Sequence, residues 1–427
     1  MWNYLLLRRP VHAQISSIIT TRQLTSGSFL RRAFQEDDVV LLRDKKDPSH
    51  DGILVRLQQS KSVHTHRGYI EHADVIGKRR RQIVRSSKGT DYRIHEPTLA
   101  EYVRLTPRIV TPIYPSDANL MVSLLDIHVH VSSATPHNSP PLEILEAGTG
   151  HGALTLHLSR AIHAGNPPVP APPYASSHAD PEDAVYLGES VSDLQESNLE
   201  SWKASRRAII HTLDISSKHS RHARKIVQGF RRGLYAGNVD FHVGDISAWI
   251  TSQRTMRKTE DAFLSYVFLD LPNANDHLAN VAPVLHVDGL LAVFNPSITQ
   301  IAECVETIRE HRLPYLLDQV IELGAGCIRQ WDVRSVRPRA TLQEADRSCL
   351  PLEDAANQDP ASTGQDLADA VGGQAARDDE LAENLTKHQD KWAMVCRPKV
   401  GERVVGGGFL GLWRRMEPAV RDQAEAA

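Results

Sequence analysis

The chain has 427 residues, and 49 Lys and Arg against 52 Asp and Glu give it a formal net charge of -3 at pH 7. That length accommodates a large domain plus a smaller one, and the balanced charge singles out no polyanionic partner. Cys304, Cys327, Cys349 and Cys396 show no Cys-x-x-Cys or Cys/His spacing, so neither a metal site nor a disulfide framework is expected, and no apolar run reaches the ~20 residues of a membrane span.

In chain order, residues 1–35 contain no acid, five arginines (Arg8, Arg9, Arg22, Arg31 and Arg32) and many Ser and Thr. This is the composition of an organellar transit peptide, and mitochondrial import is the expectation. Residues 36–107 alternate apolar and polar in short runs ("DVVLLR", "GILVRL", "RGYIEH", "RQIVRS", "DYRIHE"), which predicts a small half-buried β domain. "PTLAEYVRLTPR" and the segment after Asp117 predict helices leading into a second domain over residues 108–340.

That domain opens on "LEILEAGTGHGALTLHLSRAIH", residues 142–163. An apolar run ending on Glu146 meets Gly148, Gly150 and Gly152, then helix-period leucines. A strand, a tight turn and a helix follow from that order. Taken alone, the glycines are compatible with a dinucleotide, a nucleoside cofactor, or a turn that binds nothing. Further βα units ("RAIIHTLDIS", "VDFHVGDISAWI", "LSYVFLDLP", "DGLLAVFNPSITQ") predict an α/β fold with a parallel, doubly wound sheet. Residues 165–205, rich in Pro and Ala, read as an inserted loop. Residues 341–388 are acidic and poor in aromatics, the composition of a disordered insert. Strand-like content returns over 389–416, placing the last strands on both sides of the acidic insert, and 417–427 form a tail.

Acids at successive strand ends narrow the ligand. Asp214, Asp245 and Asp270 each close an apolar run, and in an open α/β sheet those ends surround the ligand crevice. S-adenosylmethionine presents ribose hydroxyls and an adenine amino group but no pyrophosphate, so carboxylate acceptors suit it better than they suit a nicotinamide dinucleotide. Asp245 alone reads equally well as a helix N-cap. Asp270 heads "DLPNAN"; there an acid can accept from the exocyclic amino group of an adenine and offset positive charge developing on the base. A turn residue before Pro272 is the structural alternative. Basic runs at Lys78, Arg79, Arg80 and Arg81, and along "SKHSRHARKIVQGFRRG", suit phosphate contacts or a solvated face.

"EAGTGHGALTLHLSRAI", "VFLDLPNANDHLANVAPVLHVDGLLAVFNPSITQIAECVETIRE" and "PTLAEYVRLTPRIVTPIYPSDANLMVSLLDI" together resemble the catalytic subunits of tRNA (adenine-N1)-methyltransferases that act on position 58 of the T-loop. "RIVTPIYPSDANLMVSLLDI" is most similar to the mitochondrial branch. The resemblance implies a Rossmann-like S-adenosylmethionine domain with a small N-terminal β domain and a four-subunit assembly, of identical chains or with a non-catalytic partner. It implies cofactor contacts at Gly148, Thr149, Gly150, His151, Gly152, Ala153, Leu154, Asp214, Asp245 and Asp270, with Asp270 catalytic. It also places Glu322, Arg329 and Trp331 near the target base; the basic run Lys78 to Arg81 makes residues 36–107, by composition, the expected RNA-binding domain. Asp214 and Ser216 stand where the family has Glu and Arg, and no Trp follows the Asp-Leu-Pro-Asn step. A non-catalytic RNA-binding subunit, or methylation at another RNA position, are the alternatives in function.

Overall fold

The structure is a computed structural model, and it describes residues 32–47, 51–129, 140–169, 199–324, 331–336, 393–398 and 407–417. The expected leader, the Pro/Ala-rich loop and the acidic insert lie largely outside the described residues. No helix among the described residues is long and apolar enough to cross a membrane.

Two compact units are present, one built from residues up to Val110 together with Arg221–Gly237, the other from Thr111–Ser220 and Asn238 onward. The N-terminal unit holds β1 (Val39–Asp44), β2 (Ile53–Arg56), β3 (Ser62–Thr65), β4 (Gly68–Glu71), β5 (Ile83–Arg85) and β6 (Asp91–His95). Antiparallel pairing gives a four-stranded sheet in the order β2-β1-β6-β5, beside a β3–β4 hairpin. Alternation decides the faces: Tyr92 and Ile94 of β6 are buried with Val40, Leu42, Val55 and Val84 in one cluster, while Arg93 and His95 point the other way. Helix α1 (Leu99–Leu105) starts in a capping box between Thr98 and Glu101. The Tyr102 hydroxyl donates to the Ile226 carbonyl at 2.8 Å, and burial holds its proton well above the usual phenol range.

Arg221–Gly237 is tied into this unit at the buried Asp38. Its carboxylate accepts from Arg32 at 2.9 and 3.0 Å, from the Gln35 amide at 2.8 Å and from Arg232 at 2.6 Å. Arg231 and Arg232 take left-handed φ values of 45° and 59°. Backbone strain of that kind persists only where surrounding contacts fix it, and the Arg232–Asp38 pair is such a contact.

The second unit is built on β7 (Leu142–Ala147), β8 (Ala208–Asp214), β9 (Val239–Val243), β10 (Leu264–Leu269), β11 (Leu285–Asn295), β12 (Tyr315–Leu323) and β15 (Gly408–Arg415). Their order is β12-β15-β11-β10-β7-β8-β9. The predicted parallel sheet is observed except for β15, which runs antiparallel between β11 and β12. Two chain-distant strands thus meet across residues 324–407. A ladder between β13 (Trp331–Val336) and β14 (Ala393–Pro398) joins Val336 to Ala393, so the acidic stretch leaves and returns at adjacent points.

Helices α2 (Pro115–Leu125), α3 (Ala153–Ile162), α4 (Ser217–Gly229), α5 (Ile246–Arg257), α6 (Leu278–Val281) and α7 (Ile298–Glu310) complete the described elements. Leu145, Leu213, Val267, Leu291, Trp249 and Trp413 belong to the main core of this unit. A buried polar cluster interrupts it. Glu143 accepts from Arg257 at 2.8 and 2.6 Å and pairs with His211 at 2.9 Å. Burial alone would raise its pKa, but the bonds from His211 and Arg257 hold it below the usual range.

Candidate active site

The chain runs from β7 to β8 and β9 on one side, then returns to β10 and β11 on the other. The gap between the carboxyl ends of β7 and β10 is therefore the switch point where such sheets bind ligands. At that point the Asp270 amide donates to the Ala147 carbonyl at 2.8 Å, and the Gly148 amide donates to Leu213 at 2.8 Å. Three strand ends are stitched together by backbone.

Gly148 is dictated by this stitching. Its φ is +96°, and a Cβ there would lie 1.9 Å from the Asp270 carbonyl oxygen. Gly150 and Gly152 are also left-handed, and Gly152 is the N-cap of α3. Thr149 and His151 are buried, and Ala153 and Leu154 form the first helical residues. Thr149 shares a 2.7 Å hydroxyl contact with Thr212.

Parallel pairing sets Glu146 beside Thr212 on β8 and Phe268 on β10, so Thr212 and Asp214, Glu146, and Phe268 and Asp270 share one sheet face. Glu146 is only 1% exposed and accepts from the Thr155 hydroxyl at 2.6 Å. Burial pushes its pKa up to about 7, bonds from Thr155 and Thr212 oppose the rise, and the nearby Asp270 charge adds to it. Glu146 braces the glycine turn from below, between β7, β8 and the first turn of α3. Its sequence position next to the turn did not reveal this, and Thr155 and Thr212 were not singled out. The only sequence signal was a hydroxyl residue inside the otherwise apolar run before Asp214.

Asp214 is buried and faces the turn. Its carboxylate accepts from the Gly150 amide at 3.0 Å and from the Ser216 amide at 2.8 Å, and His219 lies 3.6 Å away. Each oxygen has a second lone pair, which is what a ribose diol requires. Asp245 is exposed and caps α5, accepting from the Ser247 amide at 2.8 Å. Burial slightly opposes ionisation there, while the Ser247 and Ala248 amides lower its pKa. Capping engages Oδ1. Between these acids two apolar side chains stand in solvent: Ile215 at 81% and Val243 at 56% exposure. Such exposure at strand ends is what an aromatic base would cover.

Asp270 is part-buried. Burial, then the neighbouring Asp214 charge, push its pKa up to about 7. The arrangement thus offers a glycine cradle, a diol-binding carboxylate, an apolar ledge and a carboxylate whose proton is exchangeable near neutrality. These fit an adenosine-bearing methyl donor.

The predicted substrate residues are not gathered here. Lys78, Arg79, Arg80 and Arg81 lie in the N-terminal unit, where Arg79 and Arg81 are exposed and Arg80 is paired with Glu96 at 2.5 Å. Glu322 is exposed on β12, Trp331 opens β13, and Arg329 lies outside the described residues.

Residues 33–84 match the TrmI-like N-terminal family, and residues 205–398 match the family described as tRNA methyltransferase complex GCD14 subunit. The tRNA (adenine(58)-N(1))-methyltransferase TrmI of Thermus thermophilus is 28% identical over 295 residues, covering 69% of this chain and 88% of the relative. The chain is thus similar to TrmI and GCD14 proteins over both matched segments. A further TrmI, the tRNA (adenine(57)-N(1)/adenine(58)-N(1))-methyltransferase of Methanocaldococcus jannaschii, is 30% identical over 79 residues, 18% of this chain and 24% of that one. Among solved structures, a SAM-dependent O-methyltransferase from Thermotoga maritima aligns with a TM-score of 0.52 at 15% identity, covering 91% of this chain and 96% of that one. That likeness shows the fold: a Rossmann-like sheet, accompanied in this chain by a small N-terminal sheet unit.

Proposed function

We propose that this protein is a mitochondrial, S-adenosylmethionine-dependent tRNA methyltransferase that forms 1-methyladenosine at position 58 of the T-loop. The observation that carries the proposal is the placement of Asp270 beside Asp214 at the switch point, backed by the glycine turn. S-adenosylmethionine supplies an electrophilic methyl group. Asp214 holds the ribose, and Ile215 and Val243 cover the adenine of the cofactor, with Asp245 at the rim. The glycine turn keeps side chains out of the space above β7.

Asp270 acts on the target adenine. As a carboxylate it accepts from the exocyclic amino group, which fixes the ring edge, and it offsets the positive charge that grows on the base as N1 becomes alkylated. Its raised pKa matches this task, since an acid that titrates near neutrality can also take up a proton. The target base must leave its stack to reach this site, as for other enzymes that act on bases. The proposed working form is an oligomer, of four copies or with a non-catalytic partner. The acid-free leader supports mitochondrial import.

The test is nucleoside mass spectrometry of unmodified tRNA incubated with the purified chain and cofactor. Formation of 1-methyladenosine at position 58, and its loss in Asp270→Ala with cofactor binding retained, is expected. Failure of the wild-type chain to bind the cofactor in calorimetry would instead favour a non-catalytic subunit.

A further inference from the structure

One face of the N-terminal sheet, covered where Leu41 lies opposite His95, carries opposed arginines toward its β5 edge. In the β1–β6 pair Arg43 sits directly opposite Arg93, and in the β5–β6 pair Ile83 sits opposite the same Arg93. Like charges directly opposed across a ladder destabilise a sheet. His95 lies two residues further along the same face of β6, and Arg81, whose amide donates to the Ile94 carbonyl at 2.8 Å, stands at its edge. Arg81 is itself held at a left-handed φ of 72°. One border is neutralised, where Glu101 of α1 pairs with Arg43. At the other, Arg85 pairs with Asp91 at 3.0 Å. No ion pair is found for Arg81 or Arg93 among the described residues.

The local potential registers on His95. Burial lowers its pKa first, and then Arg81, Arg43 and Arg93 lower it further against the weaker pull of Glu101. Arg81, Ile83 and Arg85 are exposed and Arg93 partly so. The patch is continuous in sequence with Lys78 and Arg79, whereas Arg80 points into its pair with Glu96. Opposed arginines and an arginine held at left-handed φ both count against the stability of this small sheet.

We propose that this face, with Arg81 and Arg93 as its central contacts, is a docking surface for the phosphate backbone of RNA. It rests on the tRNA substrate proposed above and supplies what the methyl-transfer site lacks, a sequence-independent grip that sets the orientation of the RNA. Ile83 is the only large apolar side chain exposed on the described part of the face, too little to anchor in a lipid surface.

The full-length chain and fluorescently labelled tRNA transcript test this by anisotropy titration between 50 and 200 mM salt. Each lost phosphate contact lowers the log–log salt slope by about 0.9. The double variant Arg81→Gln/Arg93→Gln should therefore lower it by about 2, so that over this fourfold salt range the wild type loses roughly tenfold more affinity than the variant. Arg93→Lys in the otherwise wild-type chain should keep nearly the full slope, which separates charge from misfolding, and Arg309→Gln on the exposed face of α7 should change nothing. An unchanged slope in the double variant, with wild-type methylation intact, overturns this surface and leaves the proposed activity standing. A wild-type chain that neither binds nor methylates tRNA overturns both. Loss of binding to phosphatidylserine vesicles without change in tRNA affinity would reassign the face to membranes.

Discussion

Asp270 carries a stability cost that its proposed function explains, and Asp270→Asn should expose both at once. Its pKa of about 7 against an ordinary 3.8 is a rise of about 3 units, or roughly 4 kcal/mol at about 1.4 kcal/mol per unit. The residue as a whole is part-exposed, so screening trims this to about 1–3 kcal/mol. The sign follows from linkage. Because the folded protein holds this proton more tightly than the unfolded chain, the penalty is absent below pH 3.8, grows between 3.8 and 7, and is complete above 7. Urea unfolding of Asp270→Asn should show a gain of about 1–3 kcal/mol at pH 8 that shrinks toward zero near pH 4.5, while methyl transfer at pH 8 is lost. No gain at pH 8, or a gain that does not change with pH, would refute a strained ionised Asp270. Full activity of the variant would remove it from the chemistry.

In the wild type, kcat/KM for RNA at saturating cofactor should fall about tenfold from pH 8 to pH 6 as Asp270 takes up its proton; a flat profile down to pH 5.5 contradicts the raised pKa. Gly148→Ala should cost about 2–5 kcal/mol, from left-handed strain and the collision with the Asp270 carbonyl, and should abolish cofactor binding in equilibrium dialysis. Glu146→Gln should keep cofactor binding, because a neutral isostere meets the same hydroxyls. Glu146→Ala strands the buried Thr155 hydroxyl, while Thr212 keeps Thr149, and should lose about 1–3 kcal/mol in denaturant titrations. Arg257→Ala leaves Glu143 with His211 alone and should cost about 3–5 kcal/mol. Buried His157, whose pKa is pushed down to about 4 by burial, is held neutral. Its contribution is complete above pH 6.5 and is lost as pH falls toward 4, worth about 3 kcal/mol, so a leucine there should flatten the acid limb of stability.

Local composition and periodicity were enough for the strand–turn–helix around Gly148, the βα alternation and the short alternating strands of the N-terminal unit. These are contacts between near neighbours, where two- and 3.6-residue periods report directly on which side is buried. The order of the strands was not legible in that way. The antiparallel insertion of β15 between β11 and β12 joins positions 84 or more residues apart, and the capping function of Asp245 could be weighed but not decided until α5 was seen to begin after it.

The sequence by itself determined which residues could carry the chemistry: Asp214, Asp245 and Asp270 at strand ends, and glycines where a side chain would intrude. Only the tertiary structure decided what those residues are. Parallel strands on either side of β7 bring Asp214 and Asp270 close enough for one charge to raise the other's pKa, and they enclose Glu146 with Thr155 and Thr212 as a brace. The same holds for the basic run: pairing selects Arg80 for an ion pair with Glu96 and sets Arg81 on a face with Arg43 and Arg93, two arginines that no linear motif connects. Charge and proton affinity depend on distance through a low-dielectric interior, and distance between strands is a property of the fold.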